Sequence, residues 1–337
     1  MDKVLYIYNP HPNKEVTSVY IKVICTAFKE MGFDLVELDG LEKSGNKQSP
    51  LLVVDLKDVV IASNCGYKNI LYWIQGVAPE EIYLKNKDIL RYLLYTYREF
   101  RAIKSASFIF YCSQNMKNHY ENKYRYYTNN YYVMPCFNEE IHEDIIRNKK
   151  YTNNDFVYAG SLEKWQNFEG TVRYYKKIEE RVNNTKFKVF VRDQANARQI
   201  LDKYKIKNYV IDYVTPEQLS IEISQSKFGF CLRKDITVNS VATPTKLSNY
   251  IANGMFPIYS RCLNSFYDAS KNSQYCFCID DEMTLDRIVK MCNESIQGED
   301  VYTDYKKNFG DYYSSNFHIS RIKSKIINFV KSKGEII

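Results

Sequence analysis

Short apolar runs alternate with longer amphipathic stretches along most of the chain. Val4–Tyr8 is a β-branched and aromatic run of strand length, within the strand-like opening Met1–Asn9. The next stretch, Val16–Met31, has helical periodicity, with Val19, Val23, Phe28 and Met31 on one side and Thr17 and Ser18 as capping chemistry near its start. Val53–Ile61 and Ile70–Ile74 are further strand candidates, and Glu80–Lys104 is a long helical region. Phe108–Cys112 reads as a buried strand, followed by a helix from about Ser113 and a strand over Tyr131–Met134. Around Asn138–Asn154 the pattern dissolves into polar and charged residues, NEEIHEDIIRNKKYTNN.

The alternation then restarts. Strands are predicted at Phe156–Tyr158, Phe187–Val191, Tyr209–Val214, Phe228–Leu232, Pro257–Tyr259 and Tyr275–Ile279. Helices are predicted at Asn167–Val182, Ala195–Tyr204, Pro216–Ser224, Pro244–Asn253 and from about Met283, and Ile319–Val330 reads as a basic amphipathic helix. Such alternation calls for parallel sheets covered by helices on both faces. The expected fold is α/β, with two doubly wound Rossmann-like domains facing a central cleft. The expected domains are 1–150, 151–315 and a C-terminal helical segment 316–337 that crosses back to the first domain. Ligands in such sheets sit beyond the carboxyl ends of the strands, where strand order reverses.

A chain of 337 residues with 45% hydrophobic residues can fill two cores. Its net charge of +7 fits a Lys-rich solvated surface or an anionic partner. The 31 Tyr accompany heavy use of Lys, Asn and Ile, and read as codon bias rather than function. Nine Cys lack any CxxC pair, which predicts reduced thiols. No signal peptide is recognisable at the start, and no apolar stretch approaches the roughly 18 residues needed to span a bilayer. A cytoplasmic protein, or one resting on the inner membrane face, is therefore expected.

Four segments carry candidate chemistry. In FVYAGSLEKWQ (156–166), Gly160 permits close backbone approach, Ser161 offers a hydroxyl and Lys164 a cation; a routine strand–helix turn is the competing reading. In FGFCLRKDITVNSVATPTKLSNYIANGMFPI (228–258), a strand ends near Arg233, Thr243 fits an N-cap and Pro244 a first helical position. The helix start at Thr245, with Arg233 and Lys246, would make a diphosphate cradle, and Asn249 and Asn253 follow down the helix. In LYWIQGVAPEE (71–81), Gln75, Glu80 and Glu81 follow a strand, either as cleft groups or as charges favouring a helix start. In residues 83–104, Lys85, Lys87, Arg91, Arg98, Arg101 and Lys104 interleave with Tyr, Leu and Phe, against Asp88 and Glu99. That helix fits either an anionic membrane surface or a solvated Lys/Arg face.

Other chemistries lack their patterns. There is no GxxxxGK[ST] loop, complete G-x-G-x-x-G, HExxH, zinc spacing or D-x-D triplet. The four His (His11, His119, His142, His318) are scattered, with His11 near a strand end.

Two of these stretches, FVYAGSLEKWQ and LRKDITVNSVATPTKLSNYIANGMFPI, resemble the donor domain of GT-B glycosyltransferases of family 4. WIQGVAPEE is similar to a loop of capsule-type, surface-polysaccharide members. The resemblance implies a bacterial hexosyltransferase using a UDP- or GDP-linked sugar, retaining, metal-independent and without a cofactor. A glycan or lipid-linked acceptor follows from it. Gly160 and Ser161 match the donor diphosphate loop, and Arg233, Lys246, Lys164 and Arg192 match basic positions near it. Thr245 matches the helix start that receives phosphate oxygens, and Val214 lies where the nucleobase meets the backbone. Asn249 stands where the family usually carries an acidic residue that accepts from the donor ribose; its amide still hydrogen bonds, without charge. Arg233 and Lys246 would stabilise the leaving diphosphate, while Glu80 or Gln75 positions the acceptor hydroxyl.

Alternatives are a GT-B-fold nucleotide-sugar epimerase, disfavoured by the scarcity of His, and a non-catalytic nucleotide or sugar binder. No nucleic-acid motif is present and acids are mixed throughout, so nucleic acid is not an expected partner.

Overall fold

The computed structural model describes residues 3–10, 15–42, 46–137, 139–279 and 282–332. It divides into two compact units. The first comprises Met1–Cys136, Val241–Thr243 and Ser314–Ile337, and the second Phe137–Ser240 and Pro244–Tyr313.

The first unit is built on β1 (Val4–Tyr8), β2 (Asp34–Glu37), β3 (Leu51–Val53), β4 (Ile70–Ile74), β5 (Ala106–Tyr111) and β6 (Tyr131–Val133). Their order is β2-β1-β3-β4-β5-β6, all parallel. β4 is buried at every position, as expected for a parallel strand covered on both faces. The sheet packs against the helix Glu15–Glu30 and the last helix, Ser315–Ser332, whose Ile319, Ile322, Ile326 and Phe329 enter the core.

The second unit contains β7 (Asn154–Ala159), β8 (Thr185–Phe190), β9 (Tyr209–Asp212), β10 (Phe228–Cys231), β11 (Phe256–Tyr259) and β12 (Phe277–Cys278). The order β12-β11-β10-β7-β8-β9 is again wholly parallel. Stacked rings staple its centre: Phe156 lies 4.5 Å from Phe228, and Tyr175 lies 4.5 Å from Phe187. Two parallel doubly wound sheets are thus present, as the alternation predicts.

Several local expectations are corrected. Val53–Ile61 is not one strand: β3 ends at Val53 and a helix runs Leu56–Asn64. Asp55 caps that helix by accepting from Lys57 N at 2.8 Å, and Leu56, Val59 and Ala62 are buried at three-residue spacing. The β-branched Val59-Val60-Ile61 masked this helical period. The region Glu80–Lys104 is two helices, Ala78–Asn86 and Ile89–Ser105, separated at Lys87 in the left-handed conformation (φ 54°) and at the N-cap Asp88. On the helix Glu15–Glu30 the buried stripe is Thr17, Tyr20, Ile24, Ala27 and Phe28, whereas Val19 is exposed. β2 escaped the sequence reading because it is an edge strand exposed at all positions. Helices Glu143–Asn148, Thr237–Ser240, Asn264–Ser270 and Gly298–Tyr313 also went unanticipated. His11 lies outside the described residues, as do the first two residues of the expected opening strand.

Candidate functional site

The second sheet reverses direction between β7 and β10. From β7 the chain lays down β8 and β9 on one side, then returns to place β10, β11 and β12 on the other. Crevices beyond the carboxyl ends of strands form at such a reversal. Gly160 follows the last residue of β7, and Arg233 lies two residues beyond β10. Gly160 has φ 145°, which non-glycine residues rarely adopt. A Cβ there would stand 2.8 Å from Lys246 Nζ.

Lys246 sits in the first turn of the helix Thr245–Ala252. Its ammonium donates to Gln166 Oε1 at 3.2 Å and lies 4.9 Å from the centre of the Tyr158 ring. Burial, and next the charge of Arg233, lower its pKa from 10.5 to about 8. Arg233 is nine-tenths buried, and its Nε has no hydrogen-bond partner among the described residues. Its backbone N donates to Ser260 Oγ at 2.9 Å beyond β11. Among the described residues neither Arg233 nor Lys246 forms an ion pair, so two close cations lack a carboxylate counter-charge. An unpaired buried guanidinium is costly unless an anion completes it.

The helix beneath is not capped as expected. Pro244 is its N-cap and makes no side-chain cap bond, and Thr245 is its first residue. Thr243 belongs to the other unit, where its Oγ1 accepts from Cys136 N at 3.2 Å. The first-turn amides are therefore without a side-chain cap, at the positive end of the helix.

The remaining donor-side candidates follow the same sheet edge. Arg192 lies beyond β8 and Val214 beyond β9. Arg192 is exposed and stands over the Tyr213 ring at 5.6 Å, while Val214 is half-buried against the core. Ser161 and Lys164 are exposed, and Ser161 O accepts from Tyr158 OH at 2.6 Å. Asn249 is half-buried one turn below Thr245, with Oδ1 3.4 Å from Ser248 Oγ. Sequence reasoning missed Asn239, which is buried and donates to Trp165 O (3.1 Å) and Lys234 O (2.8 Å). It ties the loop after β7 to the loop after β10. No local pattern marks it, because its partners are 74 and 5 residues away. Arg233 also borders a recess of about 490 Å³ with Asp235, Ser260 and Asn264.

The first unit has its own reversal, between β1 and β3. A pocket of about 360 Å³ opens there, lined among others by Asn9, Thr17, Asp55, Gln75, Gly76 and Glu81. Thr17 Oγ1 is 3.5 Å from Gln75 Oε1, and Glu81 Oε1 accepts from Val77 N at 3.2 Å. Glu81 also packs over Gly76, where any side chain would collide with its carboxylate. Glu80 does not line this pocket. Its Oε1 meets Lys123 Nζ at 2.8 Å and His119 Nε2 at 3.4 Å, and Lys123 continues to the buried Glu99 at 2.8 Å. Burial raises the Glu80 pKa, but the nearby His119 and the hydrogen bond and charge of Lys123 outweigh it and hold the carboxyl below its ordinary value. The adjacent acids thus divide: Glu80 braces the helices, and Glu81 faces the pocket.

No family model matches the sequence, and no curated protein matches it. Solved structures do match its fold. One is S. aureus TarM in complex with Fondaparinux, alpha-GlcNAc-glycerol and UDP (TM-score 0.62, 11% identity, covering 86% of this chain). This chain spans only 57% of TarM. Another is the lipopolysaccharide outer core galactosyltransferase WaaB (TM-score 0.62, 11% identity, covering 98% of this chain and 99% of WaaB). A third is the sucrose-phosphate synthase of Thermosynechococcus elongatus (TM-score 0.63, 10% identity, covering 98% of each chain). The chain therefore has the GT-B fold, with two Rossmann-like units.

Proposed function

We propose that this GT-B chain is a glycosyltransferase that moves a sugar from a UDP- or GDP-linked donor to a glycan or lipid-linked glycan in cell-surface polysaccharide synthesis. One observation carries the reading. Buried Arg233 and half-buried Lys246 converge without a carboxylate partner where β7 and β10 part, beside the Gly160 backbone and the helix start at Thr245. That arrangement suits a diphosphate. The folds shared with TarM, WaaB and sucrose-phosphate synthase support the transferase reading.

Cleavage of the donor's anomeric bond leaves an oxocarbenium-like sugar and adds negative charge to the departing nucleoside diphosphate. In this reading Arg233 and Lys246 meet the charge as it grows, where fixed donors gain most, on the order of 3 kcal/mol each. The protein's own cations then do the neutralising that a metal does elsewhere. Arg192, Val214 and Asn249 border the nucleoside side, with Asn249 hydrogen bonding through its amide. Gln75 and Glu81 orient the acceptor hydroxyl in the first unit's pocket. Retention at the anomeric carbon rests on the sequence resemblance.

The test is release of UDP or GDP from a panel of nucleotide sugars. Arg233→Ala and Lys246→Ala should each lower turnover about 100-fold or more while the protein stays folded. In the same assay Glu81→Gln should lower turnover, whereas Glu80→Gln should mainly cost stability. Wild-type rates in both cation variants would reject the assignment.

A further inference from the structure

The helix Ile89–Ser105 presents an unusual surface. Its buried residues are Glu99, Ala102 and Ile103, all in its second half. Its first half is apolar and open: Leu90 is 75% exposed, Tyr97 59%, Leu93 57%, Ile89 55% and Leu94 45%. These positions recur at i, i+1, i+4, i+5 and i+8, which places them along one stripe. A contiguous stripe of large exposed apolar side chains is not a feature of an ordinary solvated face.

Basic groups outnumber acids around it. Arg91 projects from the same helix with a side chain 64% exposed, and Lys85 and Lys87 precede it. Arg98, Arg101 and Lys104 follow. Both acids of the segment are engaged locally. Asp88 caps the helix by accepting from Arg91 N at 3.0 Å, and also pairs with Arg91 Nε at 3.2 Å. Glu99 is buried, accepting from Tyr120 at 2.7 Å and Tyr124 at 2.6 Å and pairing with Lys123. No helix among the described residues is long and apolar enough to cross a membrane.

We infer that the first half of this helix is a docking surface for an anionic lipid bilayer, lying in the plane of the membrane with Leu90, Leu93, Leu94 and Tyr97 in the headgroup–acyl boundary. An apolar stripe rimmed by Lys and Arg is the pattern of an interfacial helix. The basic rim selects this occupant: a second copy would bring its own like charges against these, whereas anionic headgroups complement them. Each basic residue near such a surface strengthens binding by about fivefold, an effect that salt screens. The inference is independent of the proposed activity, since it concerns the free protein and lipid alone.

The test is flotation of the full chain with vesicles of phosphatidylcholine alone, or of phosphatidylcholine with phosphatidylglycerol at about one third, a strongly anionic surface. Binding to the anionic vesicles should exceed binding to the neutral ones about tenfold or more and decline with added salt. The double variant Leu90→Ser/Leu93→Ser should lose it about tenfold or more, with an unchanged melting temperature. Wild-type binding by that variant overturns the proposal, as does equal binding to neutral vesicles. Absence of vesicle binding overturns it too, and sedimentation showing a dimer that the double variant dissolves would assign the stripe to a second copy.

Discussion

At the scale of single residues, Lys246 decides how the site responds to pH. Its folded-state pKa, about 8, lies below the ordinary 10.5 because the group is buried beside Arg233. A bound diphosphate favours the ammonium form, so binding takes up a proton above pH 8. Affinity for UDP or GDP should hold steady between pH 7 and 8 and then fall, by up to about tenfold per pH unit, as free Lys246 loses its proton. Lys246→Gln should remove that dependence, which calorimetric titration across this range will read. In the ligand-free protein the sign is opposite. The unfolded chain binds the Lys246 proton more tightly, so this group's contribution to stability rises with pH between about 8 and 10.5. Individual residue types were legible in the sequence, and Gly160 and Arg233 both lie close to Lys246. Their partners were not, since Gln166 meets Lys246 across 80 residues of chain. Nor does sequence spacing separate Glu80 from Glu81. Their different roles come from Lys123 and His119 on the helix Gln114–Tyr124, which draw one carboxylate and leave the next to the pocket.

At the scale of elements, fully buried parallel strands were the clearest signal. β4, β10 and β11 are short unbroken apolar runs buried at every position, and their sequences say so directly. Short helices and edge strands were harder. The helix Leu56–Asn64 hides behind a β-branched run, and β2 has no buried residue to impose a period. The strand-to-helix turn after β7 carries a specific demand. Gly160→Ala would place a Cβ at φ 145° and within 2.8 Å of Lys246 Nζ. It should cost roughly 1–3 kcal/mol in urea unfolding and also weaken nucleotide binding by displacing the ammonium. Gly229→Ala, inside β10, would drive a Cβ to 2.5 Å of the Tyr250 ring. That change should destabilise by a similar amount through overpacking, without acting on the nucleotide directly. Comparing the two variants by unfolding and by binding separates the site from the scaffold.

At the scale of the whole molecule, the two-unit α/β architecture followed from the alternation of periods, but the excursion of Val241–Thr243 into the first unit did not. Those three residues and the final helix, whose return the sequence reading expected, belong to the first unit, held by long-range contacts such as Ser113 Oγ to Val241 O at 2.6 Å and Phe108 to Phe329 at 5.8 Å. Such pairings are set by tertiary packing, which local periodicity does not encode. The reversal of strand order that locates each candidate pocket likewise becomes visible only once the sheets are assembled. Calorimetric titration of the full chain with UDP and with GDP, repeated on Arg233→Ala and Lys246→Ala, tests the central claim most directly. The account predicts saturable binding of at least one nucleotide to the wild-type protein and a loss of about tenfold to 100-fold in each variant, the range for a charge-assisted hydrogen bond. No binding of either nucleotide, or equal affinity in all three proteins, would contradict it.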